Sequence, residues 1–215
     1  MNYFNIDSPI MRKLSVMGDL IVLNFLWLIC SLPVVTAGAS TTALYAVALK
    51  LAQEDDGHMF RRFFKAFRQS FTQATVVYLA LCALAALLTF DFYSYAQGSG
   101  GMLRILQFLL AVVSVIAVVF ASWFFPIAAQ FENTTRRTYK NALQLAMLHW
   151  PVTLRIAITN VFFFVTTFVL WTVGPGLLIF AIMFGGSGAA YLNSFALRRC
   201  FAKYIPAENT GDMDT

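Results

Sequence analysis

"CSLPVVTAGASTTALY", residues Cys30 to Tyr45, closes one apolar run and opens another. Pro33 cannot donate a backbone hydrogen bond, Gly38 favours a turn, and Thr36, Ser40, Thr41 and Thr42 put four hydroxyls into otherwise apolar sequence. The stretch reads as a cleavage site, as a loop, or as a broken membrane segment. For cleavage speak Arg12 and Lys13, the apolar Leu20 to Leu32, and the small-x-small triplet Ala37-Gly38-Ala39. Against it, those bases stand behind eleven residues, deeper than a signal peptide places them. The reading that survives is a break between two membrane segments.

The composition agrees. Of 215 residues, 60% are hydrophobic and 12% charged, with 22 Phe. Water-soluble domains carry about 25% charged residues. The predicted fold is therefore all-α, a polytopic membrane bundle over residues 1–204 with a polar tail at 205–215. Apolar spans are expected at Gly18 to Val35, Ala74 to Phe92, Ile105 to Ala129, Ile156 to Val173 and Leu177 to Phe195, with a weaker stretch at Thr41 to Ala52. The net charge of +5 does not point to nucleic acid, because the bases cluster between apolar runs. Cys30, Cys82 and Cys200 form no C-x-x-C pattern and read as small buried hydrophobes.

Those bases set topology. Arg61, Arg62, Lys65 and Arg68 precede the third span, Arg136, Arg137 and Lys140 precede the fifth, and Arg198, Arg199 and Lys203 follow the last. The Gly98 and Gly174 turns are poor in bases and are expected outside. Placing Arg12 and Lys13 inside as well requires Thr41 to Ala52 to return across the membrane, giving six segments. Five result if that stretch only lies on the cytoplasmic surface. Six is preferred, because short-loop charges decide orientation.

Two basic segments share a pattern. Phe60, Phe63, Phe64, Phe67 and Phe71 fall on one helical face, opposite Arg61, Arg62, Lys65, Arg68 and Gln69. Tyr139, Ala142, Leu143, Ala146 and Trp150 repeat it against Arg137, Lys140, Asn141 and Gln144. Such faces suit interfacial helices, with aromatics toward acyl chains and bases toward anionic headgroups. Ile10 to Leu14 is a degenerate third copy, so the chain reads as three units of amphipathic helix plus hairpin.

Groups for catalysis are scarce. His58 and His149 stand in different segments without metal-ligand spacing, and neither G-x-S-x-G nor a P-loop occurs. No enzyme activity, metal or cofactor is expected. Asp91 is an acid close to the outer boundary, readable as an interfacial side chain or as a functional group. Asp19 and Asn24 suggest a helix start or an interhelical hydrogen bond, as do the amides Asn160 and Asn193 on neighbouring spans. Gly185, Gly186 and Gly188 are small residues expected to let helices pack closely, with a hinge or gap as the alternative. The sequon Asn133-Thr134-Thr135 falls on the expected cytoplasmic side, where glycosylation is not expected.

Length sharpens the broken stretch. A helix from Ser40 to Glu54 would span about 21 Å, short of the roughly 30 Å hydrocarbon core. If it crosses, Val34 to Ala39 must run as non-helical backbone within the bilayer, buried in protein or lining a wet cavity. Ser40, Thr41 and Thr42 would then cap the second helix, with Pro33, Thr36, Gly38 and Asp91 about a polar cavity. The alternative is a proline-ended helix capped by hydroxyls, with no ligand.

"GDLIVLNFLWLICSLPVVTAGASTTALYAVALKL" (Gly18 to Leu51) followed by "FRRFFKAFRQSFTQAT" (Phe60 to Thr75) resembles the YesL-like family of bacterial membrane proteins. "NALQLAMLHWPVTLRIAI" (Asn141 to Ile158) is similar to that family's second basic segment. The resemblance extends from about Phe4 to Tyr204, with Ala39-Ser40 standing where a Gly-Pro-like pair is expected. It implies a protein of the bacterial cytoplasmic membrane whose relatives are encoded beside carbohydrate uptake and glycan-degradation systems. It supplies no catalytic residues. Two functions are expected on these grounds. One is an accessory protein in the lipid bilayer with carbohydrate ABC importer subunits as partners. The other is a small transporter or channel.

Overall fold

The computed structural model describes residues 9–53, 58–96, 101–131, 135–174 and 178–202. Seven α-helices appear in them: α1 (Pro9–Ser31), α2 (Ala37–Leu51), α3 (Met59–Ala96), α4 (Gly101–Gln130), α5 (Thr135–Leu148), α6 (Trp150–Val173) and α7 (Leu178–Phe201). The protein is an all-α, multi-pass membrane bundle. Five stretches among the described residues are long and apolar enough to cross a bilayer, namely Leu14–Ser31, Val34–Leu51, Met59–Asp91, Gln107–Gln130 and Trp150–Leu170. The polar tail and the sequon's Asn133 and Thr134 lie outside the described residues, as do the loop Gly98-Ser99-Gly100 and Pro175-Gly176 of the last turn.

The connection at Pro33 is tighter than length alone suggested. Only Leu32 and Pro33 leave helical geometry; Val34–Thr36 form a 3-10 turn that runs straight into α2. Non-helical backbone through Ala39 is therefore not needed. The 3-10 turn rises faster per residue than an α-helix, so the return leg gains length while keeping its backbone hydrogen bonds. Nor is α2 a surface helix. It packs against α1, α3, α4 and α7 at the centre of the bundle. Its ends fit the six-segment reading, because the hairpin brings Ala52 to the end of the bundle where α7 finishes.

Small side chains put α2 there. Gly38 is not a break. It lies in the first turn of α2, and a Cβ at this position would overlap the carbonyl oxygen of Ala74 and stand 2.7 Å from Tyr78 Cβ. Without the side chain, the backbones of α2 and α3 meet. On the other side of the bundle Gly186 and Gly188 play similar parts. A Cβ on Gly186 would stand 2.9 Å from the Trp27 ring on α1, and one on Gly188 would stand 3.2 Å from Phe163 on α6. Gly185 differs: among the described residues no atom of another helix lies within 4 Å of its missing Cβ, so it makes no close approach to them.

The two amphipathic segments end differently. The faces Phe60–Phe71 and Tyr139–Trp150 have the same spacing, so Thr72 stands in the first where Pro151 stands in the second. Without a proline, α3 runs on as one helix of 38 residues, about 57 Å long. Its amphipathic part thus shares an axis with the span, and Phe63 is wholly buried in the core while Phe60, Phe64 and Phe71 stay exposed. The prediction that all five aromatics face acyl chains fails at Phe63. In the second copy Pro151 withholds its N–H, α5 stops at Leu148, and α6 starts afresh at Trp150. Thr153 Oγ1 bonds back across the junction, lying 3.1 Å from Ala146 O and 3.2 Å from His149 O. It also accepts a 2.8 Å hydrogen bond from Trp123 Nε1 of α4, pinning the junction to a fully buried indole.

Candidate functional site

Within the bundle, Thr36 and Ser40 of the opening stretch serve α1, while Thr41 and Thr42 bond back within α2. Thr36 Oγ1 lies 2.6 Å from Cys30 O, in the last turn of α1, and 2.8 Å from Pro33 O, so it shares its proton between two carbonyls of the connection. Ser40 Oγ donates to Trp27 O at 2.9 Å. Thr41 and Thr42 sit inside α2 and donate back to Ala37 O and Gly38 O, at 2.8 and 3.2 Å. The first amides of α2 are also engaged, with Thr36 N–H on Pro33 O and Ala37 N–H on Val34 O. A half-helix end aimed at an anion is not what these residues build. Asp91 does not join them. It lies on α3 more than three turns beyond Tyr78, the residue that meets Gly38, which is roughly 20 Å along the axis.

A polar seam instead crosses the core between the first and last hairpins. Asn24 Oδ1 accepts from the Ser187 backbone N–H at 2.9 Å, joining α1 to α7. Trp27 Nε1 donates to Thr41 Oγ1 at 3.3 Å. Asn193 Nδ2 donates to Asn160 Oδ1 at 3.0 Å and to the Tyr45 hydroxyl at 3.3 Å, tying α7 to α6 and α2. Asn24, Asn193 and Tyr45 are all buried. Interhelical hydrogen bonds of this kind hold membrane helices in register. The sequence pointed to the amides and to Asn24, but not to Tyr45, Trp27 or Ser187. Only the three-dimensional pairing singles out these among many similar residues. Asp19 sits in the third turn of α1, so it does not start that helix.

Beside the seam lies a cavity of about 510 Å³, with Trp27, Thr41, Tyr45 and Asn160 on its polar side. The outer halves of α3 and α4 close it with apolar side chains such as Leu81, Leu88 and Val118. Of the opening stretch's hydroxyls, only Thr41 lines this cavity. Two buried acceptors near the seam, Asn193 Oδ1 and Ser187 Oγ, lack a hydrogen-bond partner among the described residues.

The basic end of the bundle is the second candidate region. Arg61, Lys65, Arg68, Arg136, Arg137, Lys140 and Arg199 are exposed there, and Arg62 is half-buried. Arg198 Nη1 donates to Ala52 O, closing the C-terminus of α2 with a cation where the helix dipole is negative. Between α2, α3 and α4 a hollow of about 460 Å³ is lined by Lys50, Arg62 and Lys65. An apolar groove of about 850 Å³ runs under α5 between Phe131, Leu145, Leu148 and Phe201. Tyr139 on α5 stacks on Phe120 and leans at a tilt against Phe124, at centroid distances of 5.8 and 5.2 Å, and burial pushes its phenol above the ordinary range, so it stays neutral. Cys30 and Cys82 are half-buried and Cys200 is buried, and none forms a disulfide among the described residues. No group of three metal-ligating side chains occurs among the described residues.

Residues 20–92 match a family model described as "Protein of unknown function, DUF624". The matched part runs from Leu20 in α1 through α2 and along α3 to Phe92, so it contains the Pro33 connection, Gly38 with its Ala74 partner, and the first basic segment. The match is consistent with the resemblance to the YesL-like family, and it brings no activity with it. No curated protein and no solved structure matches the chain.

Proposed function

We propose that this protein is a non-catalytic accessory component of the bacterial cytoplasmic membrane that works through its basic end. The observation that carries this reading is the gathering of bases at one end of the bundle beside the apolar groove under α5. A surface of bases next to an apolar trough suits a protein or lipid partner that is acidic on one side and apolar on the other. By the positive-inside rule this end, with the C-terminus of α7, faces the cytoplasm. The family resemblance suggests the partner: subunits of a carbohydrate ABC importer. Purification of the full chain from its host in mild detergent should recover importer subunits. Repeated recovery of the protein without them would sink the partnership.

Orientation has its own test. A cysteine placed at Asn5, in a background free of Cys30, Cys82 and Cys200, should be shielded from an impermeant thiol reagent added outside the cell. Labelling there would move the N-terminus outside and undo the six-segment arrangement. A cysteine at Gly57 should be shielded in either arrangement and serves as the control.

A second reading has one observation in its favour. The cavity beside Thr41, Tyr45 and Asn160 could hold a small solute in transit. It predicts that Thr41→Leu or Asn160→Leu slows solute flux in proteoliposomes. Absence of flux for all candidate sugars and ions would leave the accessory role alone.

A further inference from the structure

We propose that the hollow between α2, α3 and α4 at the basic end binds a phosphate ester that also carries hydroxyl groups. Small side chains create the space: Ala46 of α2, Ala66 of α3, and Ala128 and Ala129 of α4 stand where larger residues would fill it. Into this space α2 turns Lys50, one turn on from Ala46, while Arg62 and Lys65 come from a single face of α3. Arg62, Lys65, Gln69 and Gln73 follow one another at helical spacing, so one stripe of α3 lines the hollow along its length. No acidic side chain is among the described residues that line it.

The chemistry follows from the order of these groups. Three cations stand toward the start of α3, matching a phosphate monoester, which carries about −1.5 to −2 charges near pH 7. Arginine adds a planar fork of donors suited to phosphate oxygens. Further along the stripe come neutral groups, the amides of Gln69 and Gln73, with Gln130 contributed by α4. Gln73 Oε1 is buried and accepts no hydrogen bond from the described residues. A hydroxyl on the ligand would supply that donor. A polyol phosphate has both parts, either as a soluble monoester or, with a single negative charge on its diester phosphate, as the headgroup of phosphatidylglycerol. The site is the hollow between α2, α3 and α4 rather than the groove under α5, so it goes beyond the partner contacts proposed above, and its test does not depend on recovering importer subunits.

Two arms separate the sources. In the first, the full chain in nanodiscs of phosphatidylcholine alone is titrated with inorganic phosphate and with glycerol 3-phosphate by calorimetry. In the second, the detergent-solubilised chain is offered phosphatidylglycerol and phosphatidylcholine, and retained lipid is read by native mass spectrometry. Binding of glycerol 3-phosphate assigns a soluble ligand, and selective retention of phosphatidylglycerol assigns the headgroup. In whichever arm binds, Lys65→Gln should weaken affinity roughly tenfold or more, the effect of losing one charged hydrogen-bonding partner. Lys50→Gln should act alike, so the site is still tested if one variant folds poorly. Arg61→Gln, an exposed base on the same helix outside the hollow, should change affinity less than about twofold. Gln73→Leu should remove any preference for the hydroxylated ligand over inorganic phosphate; a preference that survives would overturn the hydroxyl contact. Binding in neither arm, or equal weakening by Arg61→Gln and Lys65→Gln, would overturn the site.

Discussion

Helices α2 and α6 are both apolar enough to cross a bilayer, yet they live in different solvents. Of the residues in Val34–Leu51, 67% are buried within the protein, against 6% in Trp150–Leu170. Hydrophobicity does not separate them, because in a membrane lipid tails compete with side chains on equal terms. Side-chain size does. The sequence of α2, Ala-Gly-Ala-Ser-Thr-Thr-Ala at its start, lets neighbouring backbones come close and gives their carbonyls hydroxyl partners. The sequence of α6 offers Phe162, Phe163, Phe164 and Phe168, of which Phe162, Phe164 and Phe168 are exposed to the surroundings. What places a membrane helix at the centre of such a bundle is small surface plus polar glue.

The comparison breaks most directly at Gly38. Gly38→Ala should destabilise the protein by about 3 kcal/mol, since a rigid carbonyl rather than a movable side chain occupies the space. Thermal unfolding in detergent should show a clear fall in midpoint, while Gly185→Ala, with open space around it, should show none. An unchanged midpoint for Gly38→Ala would mean that α2 is not held by close backbone approach. Next comes the seam. Asn193→Leu removes two interhelical hydrogen bonds and should cost roughly 1 to 2 kcal/mol, measured by unfolding in mixed micelles. A smaller effect follows from uncapping α2: Arg198→Ala should cost up to about 1 kcal/mol. It should appear as faster amide hydrogen exchange in the last turn of α2, with the first turn unaffected. Least of all, Phe164→Leu on α6, at 72% exposure, should change stability by less than about 0.5 kcal/mol. A larger loss there would show that α6 is covered by another chain rather than by lipid.

Much of this architecture could be read from residue patterns. Span positions followed from apolar run length, and the two amphipathic faces from their 3.6-residue spacing. The amide pair Asn160–Asn193 followed from the cost of leaving such groups unpaired in lipid. What the pattern could not supply was who meets whom. Gly38 looked like a turn residue because glycine serves turns and close contacts equally, and only the position of Ala74 decides between them. Ser40, Thr41 and Thr42 looked like caps because hydroxyls after a proline commonly are. In the fold their partners are carbonyls behind them rather than amides ahead. Lys50 falls near the end of the weak stretch Thr41 to Ala52, and its place in a basic hollow depends on α3 folding back beside it.

The grip of Arg198 on Ala52 has a consequence for how the protein is made. The first hairpin emerges early, yet several of its polar groups find a partner on the last helix: Asn24 on Ser187, Tyr45 on Asn193, and the end of α2 on Arg198. A nascent chain stopped before Leu178 would lack these three contacts. The hairpin that lies at the centre of the finished bundle is thus the last part to be completed, and α7 is the piece that closes the ring around it.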